Sequence, residues 1–600
     1  MSTNRILKIE IENIKGFGQD VNSAGNKVPF AFDVNIFPNK PNIVVAPNGF
    51  GKSSLTAAFL SLKENKMELD KDYIHEEFGV PTTLGPFLKI YLDDVSLSSY
   101  EANGNKNDIS SNFDVFVINS RLIPNSKKNN FGGFTRVSSY MDIKKTVLIR
   151  TIPRKESFQY SLSQEKQKYS SIAKCLKNIS HLFKKIDFLN RSLDNDLMMK
   201  FFGVKIIKLI DDRISYIKNY TGTAEQIKNK IVSNDLPLLM GNDKIATLFN
   251  LVKEYKLDDW NDGDVFLAVI QFVDVFKQMK LVQFKKAFAY EKYLQEKKAN
   301  EIFLNSVNTT RLDIRPKEEK GSLVVNWPEA SKISNGQRDI LSFASSLIEA
   351  ENKLNADKNI LIIDEIFDYL DDANLLTFQY RISALIDAYK SQGKLLYPIL
   401  FTHIDPAAFN HWSFGKKKMH VSYLKKIPVK HDNDLLTLVK ERENTAISVR
   451  TDKYFFHYHP DSETKGNVNL NGEFTTLGIT SNISDAFDFY EYVLKECMKY
   501  IQGISVNPIA VSFALRIQIE KKIYNQLTND KKNAFLNEHG TGNKLDYAAD
   551  FLSIEIPEYY YLLGLIYNGV LHGKTEEIEQ SIGLKLENQT IKKMISDVFE

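Results

Sequence analysis

The sequence predicts an α/β protein in which a parallel sheet is interrupted by a helical insertion and followed by an all-α C-terminal domain. Three observations carry this. The short β-branched run Asn42-Ile43-Val44-Val45 and the runs Asn359-Ile360-Leu361-Ile362-Ile363 and Leu395-Leu396-Tyr397-Pro398-Ile399-Leu400-Phe401 are nearly continuously apolar, as strands buried on both faces of a parallel sheet are. The stretch between the first and second of these, residues 156–305, is helical in texture. From residue 483 to the end the apolar spacing is helical again.

The composition bounds the rest. At 600 residues the chain is too long for one hydrophobic core. With 43% hydrophobic and 26% charged residues it is not a wholly disordered chain, a collagen or a disulfide-stapled miniprotein. Lys+Arg 78 against Asp+Glu 75 leaves a formal charge of +3, so a nucleic-acid partner needs a local basic patch. The runs Lys127-Lys128 and Lys416-Lys417-Lys418 read as solvated faces that touch phosphates only if they line a groove. Cys175 and Cys497 lie far apart, which fits a reducing compartment and excludes a cysteine-based zinc site. No apolar run reaches the ~18 residues of a membrane span, and the polar start has no signal-peptide core behind it. A cytoplasmic protein with no membrane partner is expected.

In chain order, Arg5 to Ile14 alternates apolar and charged residues, a half-buried strand. Asn42 to Val45 follows, then a helix from Ser54 to Leu62, and further strands at 88–97 and 113–118. This strand-rich first lobe spans residues 1–155. In the insertion, 156–305, Ile172, Leu176, Ile179, Phe183 and Ile186 recur at steps of four and three, the seam of a short coiled coil or long helix. A second helical run, about 265–303, either returns antiparallel to it as a protruding hairpin or joins it in an ordinary helical subdomain. The second lobe, 306–480, holds strands at 321–325, 359–363 and 395–401 and then a turn-rich stretch. A separate helical domain is placed at 481–600.

Between the strand at 42–45 and the helix after it stands Ala46-Pro47-Asn48-Gly49-Phe50-Gly51-Lys52-Ser53-Ser54, the context a phosphate-binding loop requires. Gly49 and Gly51 let backbone N–H groups turn inward around phosphate, and the helix N-terminus adds its dipole. Lys52 is expected at the β- and γ-phosphates of ATP, and the Ser53 hydroxyl on Mg²⁺. Ala46 departs from the general pattern, which has glycine there. The run Ile360 to Ile363 ends in Asp364 and Glu365. Asp364 is expected to hold Mg²⁺ through water and Glu365 to polarise the attacking water. Two adjacent acids on an apolar strand are costly to bury without a cation.

Ile333-Ser334-Asn335-Gly336-Gln337-Arg338 closely resembles the signature motif of ABC-type ATPases, with Asn335 in place of the usual second glycine. Asp368-Tyr369-Leu370-Asp371 resembles their D-loop, and His403 their switch histidine. No glutamine occurs between Ser53 and Phe158, so Asn119 is the candidate for the Q-loop position. The start Leu7 to Phe17, the loop Pro47 to Ser54 and a helical insertion splitting the head resemble the SMC/RecF branch. The short insertion is similar to that of RecF and the compact antiphage-defence ATPases, the PrrC/RloC nucleases and the Septu ATPase. This resemblance covers about residues 1–155 and 305–405. It implies a homodimer, or a higher oligomer, sandwiching two ATP molecules between Lys52 of one subunit and Ser334, Asn335, Gly336 and Gln337 of the other.

In the C-terminal domain, Arg516 and Glu520 lie one helical turn apart, as do Asn568 and His572. This arrangement resembles HEPN-type helical domains, among which PrrC/RloC nucleases cut tRNA anticodon loops. The resemblance implies metal-independent cleavage, with Glu520 or His572 activating a 2′-OH, the other protonating the leaving oxygen, and Arg516 stabilising charge. The plain alternative is a helix salt bridge and helix cross-links. Arg450 and His457 fall in a strand-like stretch and are set aside. His457 and His459 alternate along an extended segment and read as surface histidines rather than metal ligands.

Two classes of function stay open. In one, ATP state gates the chain's own ribonuclease. In the other, an ATPase sensor or scaffold binds DNA or a phage protein and regulates a separate effector or inhibitor protein. A RecF-like DNA-repair role is a third.

Overall fold

The computed structural model describes residues 4–47, 49–119, 122–131, 134–143, 145–193, 204–307, 314–328, 332–364, 370–406, 414–415, 418–424, 430–551, 555–572 and 577–600. The chain forms two compact units, residues 1–142 with 330–600, and residues 143–329.

The larger unit opens with β1 (Ile6–Glu12), which pairs antiparallel with β2 (Phe30–Ile36). β3 (Asn42–Val45) leads into α1 (Lys52–Leu60). β4 (Phe87–Leu92) and β5 (Ser99–Asn103) complete a four-stranded antiparallel sheet of order β2-β1-β4-β5. Ile6, Ile9 and Ile11 point into the core from β1, while Lys8 and Glu10 pair with each other on its other face. β6 (Asp114–Asn119), α2 (Asn335–Lys353), β7 (Lys358–Asp364), α3 (Asp372–Ser391), β8 (Leu395–Thr402) and β9 (His420–Tyr423) follow. A five-stranded, wholly parallel sheet has the order β6-β7-β8-β3-β9. Ile360 to Ile363 of β7 are all at 0% exposure, as expected for a central strand covered on both faces. Buried Asn42 anchors the entry of β3, its Nδ2 donating to the carbonyls of Phe37, Lys40 and Pro398.

The helical end of this unit contains α4 (Ala486–Ile501), α5 (Pro508–Gln526), α6 (Thr541–Ala549) and α7 (Glu577–Leu586). α5 starts at a well-formed cap, with Asn507 Oδ1 accepting from the N–H groups of Ile509 and Ala510 and Pro508 at the first position. Apolar on nearly every face, it is the helix around which the others pack. The helical core does not begin at residue 481: it runs from Leu435 to Val598. The stretch read as turn-rich folds into short helices, Asn433–Lys440, Ser448–Thr451 and Asn471–Thr476, too brief to print a periodic stripe on the sequence.

The second unit joins a three-stranded antiparallel sheet (Thr146–Ile149, Ser322–Val325, Pro316–Glu319) to a helical body. Its long helix, Asp262–Val307, is broken at Lys280, where φ is 60°. The expected coiled-coil seam is not there. Ile172, Leu176, Ile179 and Phe183 are buried, but on and between the 3₁₀ turns Ser170–Cys175 and Leu182–Lys184, and Ile186 only opens the helix Ile186–Leu193. They fill a globular core instead, where the Phe183 ring stacks on Phe272 at 5.6 Å. Among the described residues no helix is long and apolar enough to cross a membrane.

Candidate functional site

β3 delivers the chain to the carboxyl edge of the parallel sheet, and the loop after it reverses through Gly49 at φ 83° and Gly51 at φ 87°. Glycine is required twice over at position 51. A Cβ there would lie 2.1 Å from the ring of Phe17, beyond the left-handed backbone cost. Phe17 is wedged beneath the loop and held by Phe30 and Phe32 at centroid distances of 5.0 and 5.2 Å. The Gly16 N–H donates to Ser54 Oγ, tying the same segment to α1. In the sequence Phe17 is only the end of the opening stretch Leu7 to Phe17; its task is visible only once the loop lies on it.

Lys52 is 3% exposed, with Nζ donating to the Ala46 carbonyl at 2.6 Å and reaching the Pro47 carbonyl at 3.4 Å. Ala46, the departure from the usual glycine, is fully buried without a left-handed backbone, and its N–H donates to Thr402 O. The first turn of α1 has no acidic residue and Gly51 at its cap supplies no side-chain acceptor, so the positive end of the helix is not neutralised locally. Ser53 is exposed and Ser54 buried.

The parallel register then levels the strand ends. Asn119 pairs with Asp364, Asp364 with Phe401, and Phe401 with Val44. Asp364 stands two strands from the phosphate-loop strand, a lateral step of ~10 Å. β8 lies between them, and His403, exposed, follows its end. α1 packs across β6 and β7, which carries the loop toward Asp364. Ser334 is exposed and its carbonyl accepts from Arg338 N as α2 begins at Asn335. Asp371 caps α3, accepting from Asn374 N at 2.9 Å. Asn48, Glu365, Asp368 and Tyr369 lie outside the described residues, as do the side chains of Asn335, Gln337 and His572 and the surroundings of Gly336. The donor set suits a triphosphate with a hard cation: a glycine cradle, a buried ammonium, one exposed hydroxyl and one carboxylate, leaving other cation positions to phosphate oxygens and water. Among the described residues no group of three or more His, Cys, Asp or Glu is placed to hold a metal by itself.

Beyond His403 the chain is bonded into the helical end. Asp405, 7% exposed, accepts from Tyr423 OH at 3.0 Å, from Lys585 Nζ at 2.9 Å and from the Ser581 hydroxyl. Ser581 and Lys585 belong to α7. On the same helix, buried Glu579 accepts from Asn507 Nδ2 at 2.8 Å, and Asn507 is the cap of α5.

α5 carries Arg516 and Glu520, and their geometry corrects the expected roles. Glu520 is fully buried and accepts from His457 Nδ1 at 2.6 Å, Thr541 Oγ1 at 2.6 Å, Lys544 Nζ at 2.9 Å and Tyr458 N at 3.0 Å. Burial by itself raises its carboxyl, but the charges and hydrogen bonds of His457 and Lys544 outweigh that and hold it well below the usual carboxylate range. A carboxylate with four donors already in place is a structural anchor, not a general base. Burial lowers His457, whose Nδ1 is held against the Glu520 carboxylate. His457 and His459 are therefore not surface residues: they are 5% and 8% exposed. The stretch before them is helical, Ser448–Thr451 continuing as a π turn Asp452–Phe456, which drives Phe455 and Phe456 into the core and takes His457 with them. Arg450 points outward to Glu473 at 2.9 Å.

Arg516, 1% exposed, donates from Nη2 to Tyr567 O and to Asn568 Oδ1, both at 2.9 Å. The two i,i+4 pairs thus meet through Arg516 and Asn568, while Glu520 turns to residues that sequence spacing did not single out. Of these only His457 lay in a noted motif.

No family model matches the chain, and no curated protein matches it. Among solved structures, an SMC head bound to the C-winged helix domain of ScpA shares 13% identity over 67% of this chain and 90% of its own, with a TM-score of 0.23. An SMC head domain from Thermotoga maritima shares 10% identity over 71% of this chain and 100% of its own, with a TM-score of 0.22. At such TM-scores the likeness carries no functional weight. The phosphate loop, with a carboxylate-tipped strand two places away in a parallel sheet, fits an ABC-type ATPase fold by its own geometry.

Proposed function

We propose that the chain is an ATP-hydrolysing ABC-type ATPase of the SMC/RecF-like group whose nucleotide state controls its own C-terminal helical body. The observation that carries this is the register that puts the phosphate loop, Asp364 and the end of β8 on one edge of one sheet. In this reading Lys52 leaves the Ala46 carbonyl for the β- and γ-phosphates, and Gly49 to Ser54 supply N–H groups around them. Ser53 and Asp364 would hold Mg²⁺, which would supply neutralising charge at the phosphates. Glu365 polarises the attacking water, and His403 stands beside the γ-phosphate. A second copy brings Ser334 to Gln337 to the far side of the nucleotide.

The bonded path from β8 through Asp405 to α7 and the cap of α5 favours control of the chain's own helical body over control of a separate partner. The resemblance to compact defence ATPases supplies the setting, an antiphage response. Ribonuclease chemistry, if the body performs it, proceeds without Glu520 as base.

Lys52→Ala is expected to lose ATP binding. Glu365→Gln is expected to bind ATP, stop turnover and accumulate a head dimer seen by light scattering. Undiminished ATP binding in the first variant sinks the site, and unchanged turnover in the second removes Glu365 as the base.

A further inference from the structure

The larger unit carries an exposed knob that the nucleotide site does not use. It is a tight hairpin between His75 and Thr82, with Glu76 paired to Pro81 and Glu77 to Val80. The turn residues are Phe78 at φ 50° and Gly79 at φ 79°, both left-handed. Such a turn ordinarily takes Asn-Gly or Asp-Gly, and a bulky aromatic in it is strained. The fold gains no packing in exchange, because Phe78 is 99% exposed and Val80 is exposed beside it. The base of the hairpin is fixed: His75 Nδ1 lies 2.6 Å from the Lys15 carbonyl, and the Thr82 N–H donates to the His75 carbonyl. A strained apolar tip on a pinned acidic stalk points to a receiving surface.

The same unit contains a surface of matching chemistry. A cleft of about 660 Å³ is bordered by Phe37, Lys40, one face of α3 and Lys418. On α3, Leu376, Tyr380 and Lys390 share that face, and Tyr380 is 75% exposed. Lys418 ends the run Lys416-Lys417-Lys418 and is the member of it whose placement is described. The cleft sets Lys40, Lys390 and Lys418 against the single acid Asp387, while the hairpin has Glu76 and Glu77 and no lysine or arginine. Apolar and basic on one side, apolar and acidic on the other, the two are complementary in both respects. The volume takes a phenyl ring with a valine beside it.

Knob and cleft lie at opposite edges of the head. Lys40 precedes β3 and Lys390 stands at the end of α3 just before β8, which places the cleft at the amino edge of the parallel sheet. The hairpin is pinned on Lys15, next to Gly16 and Ser54, at the phosphate-loop edge. The other exposed apolar turn, at Val95 and Leu97, is on the side of the cleft itself, where Arg5 pairs with Asp93 and lies over the Phe37 ring.

We infer that the hairpin tip of one copy seats in this cleft of a second copy, with Phe78 and Val80 against Leu376, Tyr380 and Phe37 and the glutamates toward the lysines. The two surfaces differ, so the contact is head-to-tail, and each copy in a pair leaves one surface open for extension to a ring or a filament. It is separate from ATP-bridged pairing and needs no nucleotide. One hairpin tip makes a small interface, so the contact is weak, with a micromolar dissociation constant.

The test is sedimentation velocity of the full chain freed of nucleotide, so that ATP-bridged pairing does not report, at concentrations up to about 100 µM. The parent is expected to associate as concentration rises. Phe78→Asn puts a favoured residue into the turn, keeps the hairpin, and should weaken association about 10-fold or more, the worth of a buried aromatic anchor. Tyr380→Glu, at an exposed helix position, should weaken it as much. The first variant keeps the cleft and the second keeps the knob, so a mixture should form one-to-one pairs that neither forms alone. The inference is overturned if the parent stays monomeric over that range, if either variant associates as the parent does, or if the mixture forms no pair.

Discussion

Glu520→Gln keeps the shape of a fully buried side chain and removes its charge. The structure sets the size of the effect. Lys544, with its side chain 2% exposed, has Nζ 2.9 Å from the Glu520 carboxylate. Removing one partner of such a buried pair leaves an uncompensated cation and costs about 3–5 kcal/mol. For a body of this size that is about 6–20 °C in Tm, at ~2–4 °C per kcal/mol. Hydrogen exchange at the amides of Ile517 to Ile523 is the assay, since it reads the opening free energy of α5 directly. Adding Lys544→Met to Glu520→Gln removes the stranded cation and should restore about half the loss or more. The pH dependence has a fixed sign. The carboxyl is lowered in the fold from its ordinary value of 4.5, so its contribution is complete above that value and lost as pH falls below it. The gap between parent and Glu520→Gln is therefore constant from neutral pH down to about 5 and closes under more acid conditions. A loss under about 1 kcal/mol, or no recovery in the double variant, refutes the anchoring role and reopens a catalytic one.

Two further outcomes follow from the same geometry. Gly51→Ala forces a Cβ into the Phe17 ring at a left-handed position, so fluorescent-nucleotide titration should show ATP affinity reduced about 100-fold. Gly51→Ala with Phe17→Ala should regain part of it, and wild-type affinity in the single variant would discard the wedge. Asp405→Asn leaves Lys585 without its carboxylate; ATP turnover should stay within a few-fold of the parent, with about 1–3 kcal/mol lost from the helical end. In that variant ATP should no longer change hydrogen exchange in α5, and a nucleotide response equal to the parent's would remove Asp405 from the path.

The phosphate loop and the Asp364 strand were legible because each is local: a β-branched run, then residues whose chemistry depends on neighbours in sequence. Gly49 and Gly51 announce a left-handed turn without any knowledge of the fold, and Ile360 to Ile363 announce a strand covered on both sides. In the insertion, local spacing admits both a coiled-coil seam and an ordinary helical subdomain, and the structure has the globular core of the second. Ile172, Leu176, Ile179 and Phe183 bury their side chains at helix-like spacing, yet 3₁₀ turns and extended links satisfy the same spacing when one long helix supplies the surface they pack on.

Glu520 shows where sequence stops. Spacing alone placed it one turn from Arg516, and that much is inherent in a helix. Whether it attacks a proton or holds a core together depends on what arrives from positions 457, 541 and 544, on segments joined to α5 only by packing. The sequence by itself determined the nucleotide-loop chemistry, because backbone angles and side-chain reach are set within a dozen residues. Only the tertiary structure decided the electrostatics of the helical end, because the state of a buried charge is fixed by every partner and by the water that the fold excludes.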